Sequence, residues 1–365
     1  MLKRVERVDE RTVLLEFSQP MEVASTTPVI KASGGFTDIA DGLVFHTVPR
    51  DFNHKDILSF YRQLLKSVGL ERGVVFITAV PVERLRHVAL DRSIHVFATV
   101  GLWPPVCIEV DELFNSYLTI STINIAVVTN HPLTRSAMVD LLRIVAEAKA
   151  IASSDSLLRC KSRPSGTITD AIAVLKPFDA GSEILFVGMS TAIGNKVAKA
   201  VHQIIVTEAM ARDADQVLKD VLGYNMEELI ELFLNVYRQS PIPGVLEDSI
   251  RRKAYELLVR FLKDPNVWSF LIASRELDLH GVSGTITGLS REEFIEDSKK
   301  VVADEMLGMS LAAYLAGAKA IFSMYWIERL KEGRRVGHWK SGMFEDDIVS
   351  ALVASLLTLI LDEYM

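Results

Sequence analysis

Residues 121–130 read STINIAVVTN, residues 147–149 read EAK, and residues 165–170 read SGTITD. Within the first, Thr122–Thr129 is apolar and β-branched and runs into Asn130 and His131, as a buried strand does where it meets a polar edge. Ala137, Met138, Leu141, Leu142, Val145 and Ala148 then recur at three- and four-residue steps. They predict a helix over 134–152 with one apolar face and Thr134 as N-cap. The Gly/Ser/Thr turn delivers Asp170 to the start of another apolar run, Ala171–Leu175. Strand, helix and strand in that order predict a sheet covered by helices, a scaffold that presents polar side chains at strand ends.

Working outward, Val13–Phe17, Val74–Val80, Ser93–Val100 and Ile184–Val187 read as further strands, and 54–68 as another helix. From Ala192 onward alternation gives way to helical spacing, over 192–222, 226–238, 246–263, 266–277, 291–296, 303–330 and 346–364. Pro241–Gly244 separates two of these, and His280–Ser290 reads as a polar loop. The expected fold is therefore two domains. Residues 1–206 form an α/β domain with a mixed sheet covered by helices, and 207–365 form an all-α helical bundle.

A net charge of −7 without a basic block excludes nucleic acid as an expected partner. Cys107 and Cys160 allow one disulfide, but neither count nor spacing suggests a framework, so a reducing, cytoplasmic compartment is expected. Charges interrupt the apolar residues of the N-terminus, so no signal-peptide core is expected. Met306–Trp326 is long enough to span a bilayer, yet Lys319, with serines and glycines around it, favours a buried core helix over membrane association. A homo-oligomer is compatible with this composition. His46, His87, His95 and His202 stand apart at no metal-ligand spacing and read as structural or surface residues.

Two constellations carry chemistry. In the first half, Asn124 lies within an apolar strand, and the Thr167/Asp170 turn and the Ser190–Thr191 pair precede or follow others, at strand ends where ligands bind and helix N-termini favour anions. Each residue has a plain alternative as a cap or a turn former. Glu147 and Lys149 are two apart and do not face each other; Glu147 pairs naturally with Arg143 on a solvated face. If one instead points into the site, Glu147 would be a general base on water and Lys149 would stabilise an oxyanion. In the second half, Glu276, Asp278 and His280 are followed by Asp297, Asp304–Glu305 and Asp346–Asp347, mostly at ends of apolar helices. Helix capping is the plain reading. Converging carboxylates would instead require a cation, and magnesium suits oxygen ligands. Gly308, one turn after Asp304, would allow a close approach there.

The ordered set TINI, EAK, SGT-x-TDA and G-x-ST-x-x-G, with SGG at Ser33–Gly35, ITAV at Ile77–Val80 and ATVG at Ala98–Gly101, resembles the adenosylcobinamide amidohydrolases over roughly residues 15–205. That resemblance implies cleavage of the aminopropanol amide of adenosylcobinamide to give adenosylcobyric acid, with no cofactor identified. It hands over no mechanism: Asp170 or Glu147 is the expected base, Asn124 and Thr167 the amide or oxyanion binders, and Ser190 and Thr191 substrate contacts. The stretch DSKKVVADEMLG, with FEDDI forty residues on, resembles the phosphatidylglycerophosphatase A superfamily and its archaeal α-ribazole phosphatase branch over about 212–365. That resemblance implies a magnesium-dependent phosphatase acting on α-ribazole 5′-phosphate or adenosylcobalamin phosphate. Asp297, Asp304, Glu305, Asp346 and Asp347 would be metal ligands, Asp304 and Glu305 catalytic, and His280 a substrate contact. Together the halves look like a bifunctional family of corrinoid salvage. The alternatives are a corrinoid-binding module fused to a phosphatase, and a membrane-associated lipid phosphatase.

Overall fold

The structure is a computed structural model that describes residues 2–109, 122–297, 300–337, 339 and 342–364. Ser121 of the opening stretch, and Ser298 and Lys299 of the DSKK stretch, lie outside the described residues. The chain divides into two compact units, Met1–Ala211 and Arg212–Met365. The first is a mixed sheet with helices and the second is helical, which is the expected fold class.

In chain order the first unit comprises β1 (Leu2–Asp9), β2 (Thr12–Ser25), β3 (Val29–Lys31), β4 (Ile39–Thr47), α1 (Ile57–Ser67), β5 (Arg72–Thr78), β6 (Arg86–Asp91), β7 (Ile94–Val100), β8 (Pro105–Val106), β9 (Ile123–Thr129), α2 (Arg135–Asp155), β10 (Gly166–Thr167), β11 (Ala171–Pro177) and α3 (Ala192–Met210). The main sheet runs β3-β5-β4-β2-β11-β9-β7-β6, with β1 paired to β2. β4 with β5 and β9 with β11 are parallel; the other pairs are antiparallel. Alternate residues face opposite sides of each strand. One side, with Phe45, Phe76, Phe97, Ala126, Val128 and Leu175, forms a single core cluster drawn from β2, β3, β4, β5, β7, β9 and β11. A hydrogen bond from Asn124 Nδ2 to Ile77 O, 2.9 Å, ties β9 to β5 although the two are not neighbours in the sheet. The other side is covered by α2 and α3 over β7 and β9, and by α1 over β4 and β5.

Thr134 caps α2 by accepting from Ala137 N, as its position predicts. The Ile184–Val187 run is not a strand. Only Ile184 forms a bridge, to Leu133, while Leu185 and Phe186 are exposed; apolarity over four residues did not have a partner strand behind it. β1 is missing from the sequence reading because Lys3, Arg4, Glu6 and Arg7 erase any apolar alternation, and it is exposed along nearly its whole length. Cys107 and Cys160 are disulfide-bonded, with Cα atoms 6.1 Å apart. The β8–β10 ladder pairs Val106 with Gly166 and draws the two segments together, a proximity that a 53-residue separation does not announce. The cysteine argument for a reducing compartment therefore falls.

The second unit holds α4 (Ala214–Leu222), α5 (Met226–Tyr237), α6 (Glu247–Phe261), α7 (Pro265–Val282), α8 (Arg291–Ile295), α9 (Ala303–Ala316), α10 (Ala318–Glu332) and α11 (Met343–Tyr364). α11 is central: it packs against α5, α6, α7, α9 and α10, and its residues from Ile348 to Thr358 are all buried. A helix apolar all round must be surrounded in this way. The predicted 303–330 helix is in fact two. Gly317, at φ 73°, stops α9 and starts α10, a conformation other residues rarely adopt. No helix of the described residues is long and apolar enough to cross a membrane.

Candidate functional site

In the first unit the start of β9 and the turn before β11 form one hydrogen-bonded group. Asp170 accepts from Ile123 N at 2.8 Å, from Thr167 N at 2.9 Å, from the Thr167 hydroxyl and from Lys149 Nζ. Both carboxylate oxygens are thereby engaged, and the Lys149–Asp170 pair is largely enclosed, with side chains 13% and 9% exposed. Thr122 Oγ1 lies 2.7 Å from Thr169 O and 3.1 Å from Asn124 Oδ1, which links Asn124 to the same turn. The backbone of Gly166 makes the arrangement fit: a Cβ there would lie 2.1 Å from Asp170 Oδ2 and 2.2 Å from Lys149 Nζ, and its φ is +152°.

Asn124, Lys149, Thr167 and Asp170 are thus brought together. Asn124, 1% exposed, spends both ends of its amide on protein partners, Ile77 O and Thr122 Oγ1, which fits a structural role better than an amide-binding one. Asp170, with four donors on its two oxygens, has no free lone pair for a general base. Glu147 does not join the group; Arg143 holds it on the outer stripe of α2, where its side chain is 41% exposed. Thr191 caps α3 by accepting from Gly194 N, and Ser190 beside it is exposed. The plain readings of these last three residues are the ones their contacts support. The histidines are not isolated in space. His87 Nε2 and His95 Nδ1 meet at 3.0 Å across β6 and β7, and His202 Nε2 lies 2.7 Å from Asp155. No histidine joins a group with metal-ligand geometry among the described residues.

In the second unit the dispersed carboxylates converge. Asp304 and Glu305 from the first turn of α9, and Asp347 from the first turns of α11, have ligand oxygens within 4.8 Å of one another. Glu328 of α10 makes a second such trio with Asp346 and Asp347, again within 4.8 Å. Glu328 escapes a sequence reading, because nothing in Ile327-Glu328-Arg329 departs from an ordinary solvated helix face. Asp304 is 4% exposed, and its Oδ1 is buried without a hydrogen-bond partner. An orphaned buried carboxylate oxygen among other carboxylates is what a hard cation would satisfy. Burial, with Glu305 beside it, raises the Asp304 pKa to about 7. Burial, then Glu328 and Asp304, raises that of Asp347 to about 8. Burial also raises Asp346, against the pull of Lys331.

Asp297 stands in a left-handed conformation, φ 55°, exposed at the end of α8 and close enough to Asp346 to act on its charge, but it is in neither trio. His280 lies in the last turn of α7, not in a loop, and its Nδ1 is 2.7 Å from Thr285 Oγ1. Asp278, two residues earlier, is structural. It accepts from Phe344 N at 2.9 Å and Glu345 N at 3.0 Å and so caps α11. Glu345 in turn pairs with Arg275 at 3.2 Å.

Comparison with known proteins identifies the class as a hydrolase. The chain belongs to the CbiZ family of adenosylcobinamide amidohydrolases, whose profile matches residues 1–216. An uncharacterized protein of Methanocaldococcus jannaschii is 33% identical over 113 residues, 30% of this chain and 85% of that protein. A second uncharacterized protein of that organism is 24% identical over 237 residues, 56% of this chain and 88% of the relative. Among solved structures, the low temperature requirement C protein of Listeria monocytogenes is 20% identical with a TM-score of 0.33, over 41% of this chain and 94% of that one. A Bacillus stearothermophilus protein of unknown function is 18% identical with a TM-score of 0.34, over 43% and 99%.

Proposed function

We propose that the chain is a bifunctional hydrolase of corrinoid salvage. The first unit hydrolyses the aminopropanol amide of adenosylcobinamide, as its family membership supports. Water adds to the amide carbonyl, the C–N bond breaks, and the nitrogen leaves as aminopropanol with a proton gained; the acid product is adenosylcobyric acid. Lys149 is the residue best placed to take part. Asp170 uses one N–H of its ammonium, and the other two have no protein partner among the described residues, so they can meet an amide oxygen as it becomes an oxyanion. Asp170 positions that lysine.

The second unit is a phosphatase for α-ribazole 5′-phosphate or adenosylcobalamin phosphate. The observation that carries this half is the convergence of Asp304, Glu305 and Asp347 around an oxygen, Asp304 Oδ1, that has no protein partner. Those three residues would hold a magnesium ion, which when bound supplies charge neutralisation at a phosphoryl group. The test is product analysis by mass spectrometry, with wild type, Lys149→Met and Asp304→Asn, on each substrate with magnesium present. The expected result is loss of amide cleavage alone in the first variant and of phosphate release alone in the second. Folded wild-type protein that releases no phosphate from either phosphorylated substrate would overturn the second half.

A further inference from the structure

The two carboxylate trios of the second unit share Asp347, an arrangement that on geometry alone would hold two ions. Lys331 decides otherwise. Its Nζ lies 2.9 Å from Glu328 and 3.1 Å from Ser350 Oγ and bonds Asp346 as well. An ammonium has three N–H donors, and these three acceptors use all of them. The same Nζ lies 4.9 Å from the centroid of the Trp339 ring, whose face favours a cation. The side chain is 15% exposed, so this charge is held inside the unit and not swept through solvent. Glu328 and Asp346, two of the three members of the second trio, therefore already share one covalently attached positive charge. The first trio has no such partner: Asp304 Oδ1 is buried and unbonded, and Asp304, Glu305 and Asp347 meet no lysine or arginine in an ion pair among the described residues.

We propose that this centre binds a single divalent ion, at Asp304, Glu305 and Asp347, and that the Lys331 ammonium takes the place of a second. The inference rests on the reading that the second unit binds a divalent cation. A fixed ammonium cannot be lost by dilution and would keep one positive charge on the Glu328–Asp346 side whether or not metal is present. It would also leave one flank of the ion facing a cationic group, suited to an anionic substrate.

The test is metal stoichiometry, read without turnover. Full-length protein is titrated with Mn2+, and free Mn2+ is followed by its electron paramagnetic resonance signal, with calorimetry in parallel. Wild type should bind one Mn2+ per chain, and Asp304→Asn should weaken that binding by roughly 10- to 100-fold or more. Lys331→Met should bind two, and Lys331→Arg one. Because removing the ammonium leaves buried carboxylates uncompensated, Lys331→Met can fail to fold; Glu328→Gln then serves in its place. It should weaken Mn2+ binding far less than Asp304→Asn does, since Glu328 belongs to the lysine's side. Two ions in wild type, or Glu328→Gln as damaging as Asp304→Asn, would overturn the proposal and leave the metal reading standing. No Mn2+ bound by folded wild type would overturn both.

Discussion

Gly308 of α9 faces the backbone of Asp347 on α11 so closely that a Cβ on it would lie 2.8 Å from the Asp347 carbonyl oxygen and 3.1 Å from its Cβ. Asp304, one turn earlier on α9, and Asp347 are members of the same carboxylate trio. The absent side chain therefore sets the spacing of the two helices that supply the carboxylates of that trio. Gly308→Ala should cost about 1–3 kcal/mol of stability through overpacking. More tellingly, it should weaken Mn2+ binding. A thermal melt and a metal titration on the same preparation check this; unchanged affinity would mean that helix spacing does not govern the centre.

The first unit contains a matching constraint. A methyl group on Gly166 would fall on the Lys149–Asp170 pair, and its φ of +152° is one that alanine rarely adopts. Gly166→Ala should lower amide cleavage by on the order of 100-fold, the effect of misplacing a reacting group by about an ångström. The phosphate release proposed for the other unit should be unaffected. Equal loss of both activities would point to general misfolding.

How far fold and site are legible in the sequence follows from the kind of signal each residue emits. The strand Thr122–Thr129, the cap Thr134 and the buried helix around Ile348 are local patterns, and the structure keeps them. The acidic pairs Asp304–Glu305 and Asp346–Asp347 draw notice because each opens an apolar helix. Glu328 and Lys331 complete the same centre but sit on α10 among other charges, and only the packing of α10 against α9 and α11 gives them meaning. Asp278 shows the reverse. Its sequence context suggests a member of the cluster, whereas its carboxylate is used to cap α11 from a neighbouring helix. Tertiary capping of this kind leaves no local signature. The break at Gly317 is within reach, since a glycine ending an apolar run is a stop signal, but the apolar residues on both sides mask it.

Asp278 supports a further prediction. Asp278→Ala removes the acceptor of two buried N–H groups at the start of α11, at a cost of about 1–3 kcal/mol for groups left unpaired. Asp278→Asn keeps one acceptor and should cost less. The pH dependence separates the two effects. Burial, then Glu345, raises the Asp278 pKa from 3.8 to about 7, so the folded state holds this proton more tightly than the unfolded chain does. Its contribution to stability is then greatest below about pH 4 and declines as pH rises toward 7. Denaturant unfolding at several pH values should show a shallower decline in Asp278→Asn than in wild type. Parallel profiles for the two proteins would contradict this assignment.

The same sign applies with greater force at the carboxylate trios. Burial and neighbouring carboxylates raise Asp304 to about 7 and Asp347 to about 8, both from 3.8. Between about pH 4 and pH 8 these two carboxylates therefore hold more protons in the folded unit than in the unfolded chain. In the absence of divalent ions their contribution to stability falls as pH rises through that window, and levels off above it. A cation bound there as proposed would take the deprotonated carboxylates and stabilise the folded state by mass action, so its effect would have the opposite trend. Thermal melts with chelator and with saturating magnesium should nearly coincide at pH 5 and separate progressively toward pH 8. In Asp304→Asn the separation should largely vanish at every pH. A magnesium effect that is the same at pH 5 and pH 8, or that survives in Asp304→Asn, would place the ion elsewhere on the chain.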